Sequence, residues 1–315
     1  MQVISAEQVH QSLNFPALTA ALAQAFAAPF HMPARQVFHL SEDAACKDAF
    51  AVLPSWNQDV IGVKAFTYFP DNGAHQLPSL FSKILLFKRD HGEPLAMVDG
   101  TSVTYWRTAA VSALAAQQLA RADASCLLLL GTGNLALPLL RAHAAVRSLS
   151  SVQVWGRDIA KAERIVAAFR AEQPALTISV VSDLRAAVRQ SDIIVAATGS
   201  AEPLVLGEDV QAGSHVDLLG NHSPDRRECD TALVEKSAVF VDYAPNVCRE
   251  AGELLIPVAE GRFTLEQIRA DLAACCRGEA GRRDAQEITL FKSVGTALAD
   301  LVTAHLVQRQ QAPLA

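Results

Sequence analysis

The sequence predicts an α/β chain built from a doubly wound parallel sheet and a second α+β domain, and three observations carry that reading. The wholly apolar run Leu127-Leu128-Leu129-Leu130 breaks into Gly131-Thr132-Gly133-Asn134-Leu135-Ala136, the Gly-x-Gly-x-x-Ala pattern of a strand that turns into a helix. From 126 to about 242, strand-like runs (126–131, 151–155, 177–181, 192–197, 214–219, 238–242) are interleaved with helices starting at 134, 158 and 183. Before residue 100 the strand-like runs follow one another with no helix between them, which requires an antiparallel or mixed sheet.

Taken in order, the chain opens on a capping box, Ser5-x-x-Gln8, and then an Ala-rich helix over 16–28 with Pro16 in its first turn. Strands are expected at 36–40, 50–53, 60–69, 80–87 and 95–98, and a long Ala-rich helix over 102–120 leads into the glycine turn. After the parallel sheet come a short strand at 288–291 and a final amphipathic helix over 293–307 that contains Gly295. That helix is expected to return to the first domain. The expected division is 1–118 with 292–315 for one domain and 119–291 for the other.

Composition narrows the function. A chain of 315 residues with 50% hydrophobic and 19% charged side chains has material for two cores. A net charge of −6 without any Lys/Arg block argues against nucleic acid or an anionic membrane as partner. The run 16–28 is too short to span a bilayer, and the first residues lack a signal-peptide pattern. The six cysteines have no metal-ligand spacing, the vicinal Cys275-Cys276 pair reads as packing, and no metal is expected. Reduced thiols suit a cytoplasmic protein.

The glycine turn is where such a sheet, the Rossmann arrangement, hands a dinucleotide pyrophosphate to a helix N-terminus. Gly131 permits the tight turn, Gly133 admits the phosphates, and Ala136 lets helix and strand approach. At the end of the second strand, Trp155-Gly156-Arg157-Asp158 puts an arginine where the extra phosphate of NADPH is read, so NADPH is preferred to NAD. A solvated Arg157 is the alternative, and Asp158 is well placed to cap the next helix.

Three basic residues precede the turn. Arg35 follows Pro33, Arg107 lies in the first turns of the long helix after Thr101, Ser102 and Thr104, and Lys64 interrupts a nearly apolar strand. Singly, each reads as a surface cation. A lysine inside such a strand must snorkel, pair with an anion, or lose proton affinity, and together the three can clamp a carboxylate. After the strand at 214–219, Asn221-His222-Ser223-Pro224-Asp225 leaves the sheet at a carboxyl end, where ligands bind. His222 and Asp225 are candidate proton donors, against the plainer readings of a solvated histidine and a turn cap.

With these residues in view, the chain resembles the ornithine cyclodeaminase/μ-crystallin family over its length. The resemblance rests on Gly62-Val63-Lys64, the Arg107-Thr108-Ala109-Ala110 run, the glycine turn, Pro224-Asp225-Arg226-Arg227-Glu228 and Phe291-Lys292-Ser293-Val294-Gly295. It implies that Arg35, Lys64 and Arg107 hold a substrate carboxylate, that Lys64 takes part in catalysis, and that Ser293 lies near the nicotinamide. The implied cofactor contacts are Thr108, Gly131, Gly133, Asn134, Leu135, Arg157, Thr198 and Ser293, and the implied assembly is a homodimer formed through the first, substrate-binding domain.

Cyclodeaminases of the family carry an aspartate where this chain has His222 and a glutamate near Ala51, and this chain has neither. Segments 218–229 and 287–300 instead look like those of ketimine reductases. The implied activity is therefore NADPH-dependent reduction of cyclic imino acids, Δ1-pyrroline-2-carboxylate or Δ1-piperideine-2-carboxylate, to L-proline or L-pipecolate. An ornithine cyclodeaminase that recycles NAD, a non-enzymatic NADPH-binding protein of the μ-crystallin kind and an alanine dehydrogenase stand as alternatives.

Overall fold

The computed structural model describes residues 1–43 and 46–311. Two compact units divide the chain, one formed by Met1–Thr108 with Thr296–Ala315 and the other by Ala109–Gly295. The division falls inside the long helix, ten residues before the expected boundary, because its two halves have different partners. Thr104 and Arg107 bond within the first unit, whereas Ser112 bonds to Asp217 and Ala116 to Arg147 in the second.

The first unit opens with β1 (Gln2–Ile4), α1 (Ala6–Ser12) and α2 (Phe15–Ala27). The capping box forms as written, with Ser5 Oγ accepting from the Gln8 amide and Gln8 Oε1 from the Ser5 amide. Then come β2 (Phe30–His31), β3 (Gln36–His39), β4 (Ala49–Asn57), β5 (Val60–Tyr68), β6 (Leu80–Lys88), β7 (Pro94–Asp99) and the start of α3 (Gly100–Leu119). Strands β4 to β7 pair antiparallel and β1 adds parallel to β7, giving a mixed seven-stranded sheet.

β4 runs four residues past Leu53, where Pro54 suggests an end. On one side Pro54 pairs with Val63 of β5, while on the other it lies between the stretch paired with β3, which ends at Val52, and the stretch paired with β2, which begins at Trp56. No ladder bond is asked of its missing N–H there.

In the second unit, α3 is followed by β8 (Cys126–Leu130), α4 (Ala136–Val146), β9 (Ser151–Trp155), α5 (Ile159–Glu172), β10 (Thr177–Val180), α6 (Leu184–Arg189), β11 (Ile193–Ala196) and β12 (His215–Leu218). The unit continues through α7 (Thr231–Lys236), β13 (Ser237–Val241), α8 (Ala244–Glu250), α9 (Gly252–Ala259), β14 (Ala270–Asp271), α10 (Leu272–Cys276) and β15 (Ile288–Lys292). All eight strands are parallel, in the order β10-β9-β8-β11-β12-β15-β13-β14. The order reverses between β8 and β11, the switch point at which such sheets open a crevice beyond their carboxyl ends. Leu127 to Leu130 are each at most 2% exposed, the continuous apolar run of a strand covered on both faces.

The last helix, α11 (Ala297–Gln311), belongs to the first unit, where it packs on β4, β5 and β6 beside α2. It starts four residues later than its spacing predicts. Asp242 Oδ2 accepts from Ser293 Oγ and from the amides of Val294 and Gly295, Gly295 takes φ +86°, and Thr296 Oγ1 then accepts from the Ala299 amide. The start of α4 is likewise delayed from 134 to 136, with the turn backbone occupying the gap. No helix among the described residues is long and apolar enough to cross a membrane.

Candidate functional site

In the first unit, the pleat of β5 turns residues 60, 62 and 64 to the same buried face. α11 lies so close to that face that a Cβ on Gly62 would come within 2.5 Å of Leu301 Cδ1. Two residues along, the same face presents Lys64 to Asp300, the neighbour of Leu301 on α11. Both side chains are buried, 4% and 1% exposed, and Lys64 Nζ donates to Asp300 Oδ1 at 2.9 Å. Arg107 Nε donates to the same oxygen at 3.1 Å, and Lys64 Nζ also donates to Thr104 Oγ1 at 2.6 Å.

Burial pushes the Lys64 ammonium down to about 8, opposed by Asp300 and reinforced by Arg107 and Arg35. Arg35 is thus near enough for its charge to be felt by Lys64. Burial alone would raise the Asp300 carboxyl, but Arg107 and Lys64 more than offset it and hold it below its ordinary value. Three cations around one carboxylate leave an excess of positive charge. Arg107 is anchored through Nε, so its Nη edge is the part suited to a planar anion.

In the second unit, Gly131 sits at the switch point with φ +120°, and a Cβ there would come within 2.5 Å of the Ala197 carbonyl of the loop after β11. Gly133 is exposed and a Cβ on it would meet nothing within 4 Å, so the turn leaves open space before the first turn of α4. Ala136, 2% exposed, is the first residue of α4. These features fit a dinucleotide pyrophosphate. Asn134 is exposed and Leu135 half-buried in the same turn.

Beyond β9, Arg157 is exposed, and Asp158 caps α5 by accepting from the Lys161 amide at 3.1 Å. Gly156 serves packing, since a Cβ there would approach Thr132 Cγ2 to 2.5 Å. At the ends of β11 and β12 Thr198 is half-buried, and His222 and Asp225 are exposed on the loop after β12, where Asp225 accepts from the Ser223 hydroxyl. Ser293 is buried against Asp242, and Thr108 is half-buried in α3.

Asp300, Glu228 and Asp242 escape the sequence reading. Asp300 could have been found as the acidic residue in the apolar stretch Ala297-Leu298-Ala299-Asp300-Leu301. Glu228 and Lys292 lie in quoted motifs but carry no signal of their partners. Glu228 accepts from Thr198 and Gly220, and Lys292 Nζ bonds the Asn221 carbonyl at 2.7 Å and Glu253 at 2.9 Å. Among the described residues no group of three His, Cys, Asp or Glu side chains could hold a metal.

Against known proteins, the family model described as ornithine cyclodeaminase/mu-crystallin matches residues 1–312. The chain belongs to that family. Within it, the Δ1-pyrroline-2-carboxylate reductase of Colwellia psychrerythraea is 55% identical over 310 residues, which cover 98% of each chain. Among solved structures, the Δ1-pyrroline-2-carboxylate reductase of Thermococcus litoralis in complex with NADH and L-proline superposes with a TM-score of 0.92 at 30% identity, covering 98% of this chain and 97% of that one. An archaeal alanine dehydrogenase dimer with bound NAD gives 0.91 at 26% identity, covering 98% of this chain and 95% of that one.

Proposed function

We propose that the protein reduces the cyclic imino acids Δ1-pyrroline-2-carboxylate and Δ1-piperideine-2-carboxylate to L-proline and L-pipecolate with NADPH. The observation that carries this reading is Lys64, an ammonium buried in an apolar strand with two arginines and one carboxylate around it. The excess positive charge matches a small carboxylate, and a proton affinity near 8 makes Lys64 a proton donor that is charged at neutral pH yet able to yield its proton. The named activities of the Colwellia and Thermococcus relatives favour the same chemistry.

In this reading Arg107, through its Nη edge, and Arg35 hold the substrate carboxylate, and Lys64 protonates the adjacent imine nitrogen. The turn from Gly131 to Leu135 receives the pyrophosphate, and Thr108, Thr198 and Ser293 contact the rest of the dinucleotide. When bound, the reduced pyridine ring supplies the hydride. Arg157 selects the additional phosphate of NADPH, since it is exposed and Asp158 is spent on capping α5. His222 and Asp225 stand second to Lys64 as proton donors.

We further assign a homodimer and a cytoplasmic location. Val37, Phe38, Leu40 and Phe81 are about half exposed on the first unit, an apolar surface suited to a second copy, and all six cysteines are free thiols. The deciding experiment follows oxidation of NADPH and NADH with the five- and six-membered imines in parallel. Imine-dependent NADPH oxidation is expected. Ammonia release from L-ornithine without net redox change would instead make the protein a cyclodeaminase, and cofactor binding without consumption would make it a ligand-binding protein.

A further inference from the structure

We infer that Thr104 and Asp300 are positioning residues that occupy two of the three N–H donors of Lys64 and thereby aim the third at the substrate. The inference rests on the reading of Lys64 as the proton donor and concerns what directs its proton. An ammonium on a four-carbon stem has three donors and rotates freely, so unaided it would present a proton in no fixed direction.

Here the stem is buried in β5 and two donors are committed, to Thr104 Oγ1 at 2.6 Å and to Asp300 Oδ1 at 2.9 Å. The Thr104 hydroxyl is itself committed, because its proton goes to the Gly100 carbonyl at 2.7 Å. It can therefore only accept from Lys64. Gly100 and Thr104 are one turn apart in α3, and the same helix carries Arg107, whose Nε shares Asp300 Oδ1. One helix thus fixes both the direction of the ammonium and the anchored edge of the guanidinium.

The two anchors differ in kind. Thr104 is neutral and acts through geometry, whereas Asp300 also supplies a negative charge facing Lys64. The charged groups around that ammonium are Asp300 from α11, Arg107 from α3 and Arg35 from the segment between β2 and β3. In turnover the third N–H bond of Lys64 breaks as the lone pair of the imine nitrogen takes its proton. The neutral amine left behind stays held between Thr104 and Asp300 until solvent reprotonates it.

The test compares Thr104→Val, Thr104→Ser, Asp300→Asn and Lys64→Met in steady-state imine reduction across pH. Thr104→Val should lower kcat about ten- to hundredfold while the KM for NADPH stays within about threefold, and its alkaline limb should stay near that of the wild type. Thr104→Ser, which keeps the hydroxyl, should restore most of the activity. Asp300→Asn should both slow turnover and move the alkaline limb to lower pH by about one unit or more, because Lys64 then faces Arg107 and Arg35 alone.

Should Asp300→Asn fail to fold, the Thr104→Val and Thr104→Ser pair decides the matter. A Thr104→Val enzyme that keeps kcat within about threefold, while Lys64→Met is inactive, overturns the inference and leaves the role of Lys64 standing. An active Lys64→Met enzyme overturns both.

Discussion

Glu228 holds Thr198 at two points, its Oε1 accepting at 2.6 Å from both the backbone N–H and the hydroxyl of that threonine. Its other oxygen takes the Gly220 amide at 2.7 Å, so one fully buried carboxylate ties together the loops that leave β11 and β12. These loops lie at the carboxyl ends of the sheet beside the switch point, where a dinucleotide binds. An amide in place of the carboxylate cannot accept at both positions, and each buried donor left unpaired costs about 1–3 kcal/mol. Glu228→Gln is therefore expected to weaken dinucleotide binding by roughly tenfold or more, with a smaller effect on the imine KM. Fluorescence titration with NADPH measures it, and unchanged affinity would remove Glu228 from any role at the cofactor.

The depressed proton affinity of Lys64 sets the pH dependence of catalysis. If the ammonium form is the working one, kcat/KM falls as pH rises through about 8, tenfold per unit beyond it. Below that value Lys64 is charged, and its contribution is flat. Lys64→Ala should lose about 10²- to 10⁴-fold in kcat, keep its NADPH affinity, and show no limb near 8. A limb that survives the substitution belongs to another group.

Coenzyme choice is expected to depend on Arg157. A charge-assisted contact to a phosphate contributes about 1.5–3 kcal/mol, so Arg157→Ser should reduce the preference for NADPH over NADH roughly ten- to hundredfold. Asp158 should not compensate, because its carboxylate is turned to the Lys161 amide. Ratios of kcat/KM for the two coenzymes give the answer directly, and an unchanged ratio would make Arg157 an ordinary surface arginine.

The parts of the fold that could be read from the sequence are those fixed by neighbours in the chain. The four leucines of β8, the glycine turn and the caps Ser5 and Asp158 are local patterns with local causes. Lys64 was legible as an anomaly, but its partner lies 236 residues away on α11, and no spacing rule joins them. Ser293 to Thr296 fit a helix by periodicity alone and were overridden by Asp242, a tertiary contact from the residue that follows β13. Pro54 shows the converse case, a residue that forbids a strand on local grounds and is tolerated because of where β2 and β3 happen to pair.

A buried carboxyl in the second unit gives the stability of the protein a pH dependence of unusual sign. Asp217 on β12 is fully buried, bonded to the Ser112 hydroxyl, which in turn lies 2.9 Å from His143 Nε2. Burial raises its carboxyl to about 7; the Ser112 bond and Lys292 oppose the rise, while Glu228 and Asp242 add to it. His143, pushed by burial and Arg147 down to about 3, stays neutral and offers no counter-charge. Between about pH 4 and 7 the folded protein therefore keeps a proton that the unfolded chain has lost, so stability falls as pH rises through this window and levels off above it. The full shift corresponds to about 4 kcal/mol. Asp217→Asn mimics the neutral acid and keeps an acceptor for the Ser112 hydroxyl. Urea midpoints at pH 5, 6, 7 and 8 should show the variant gaining on the wild type as pH rises, because groups common to both cancel in the difference. A difference that stays constant across that range would mean that Asp217 is ionised throughout, with its charge satisfied inside the second unit.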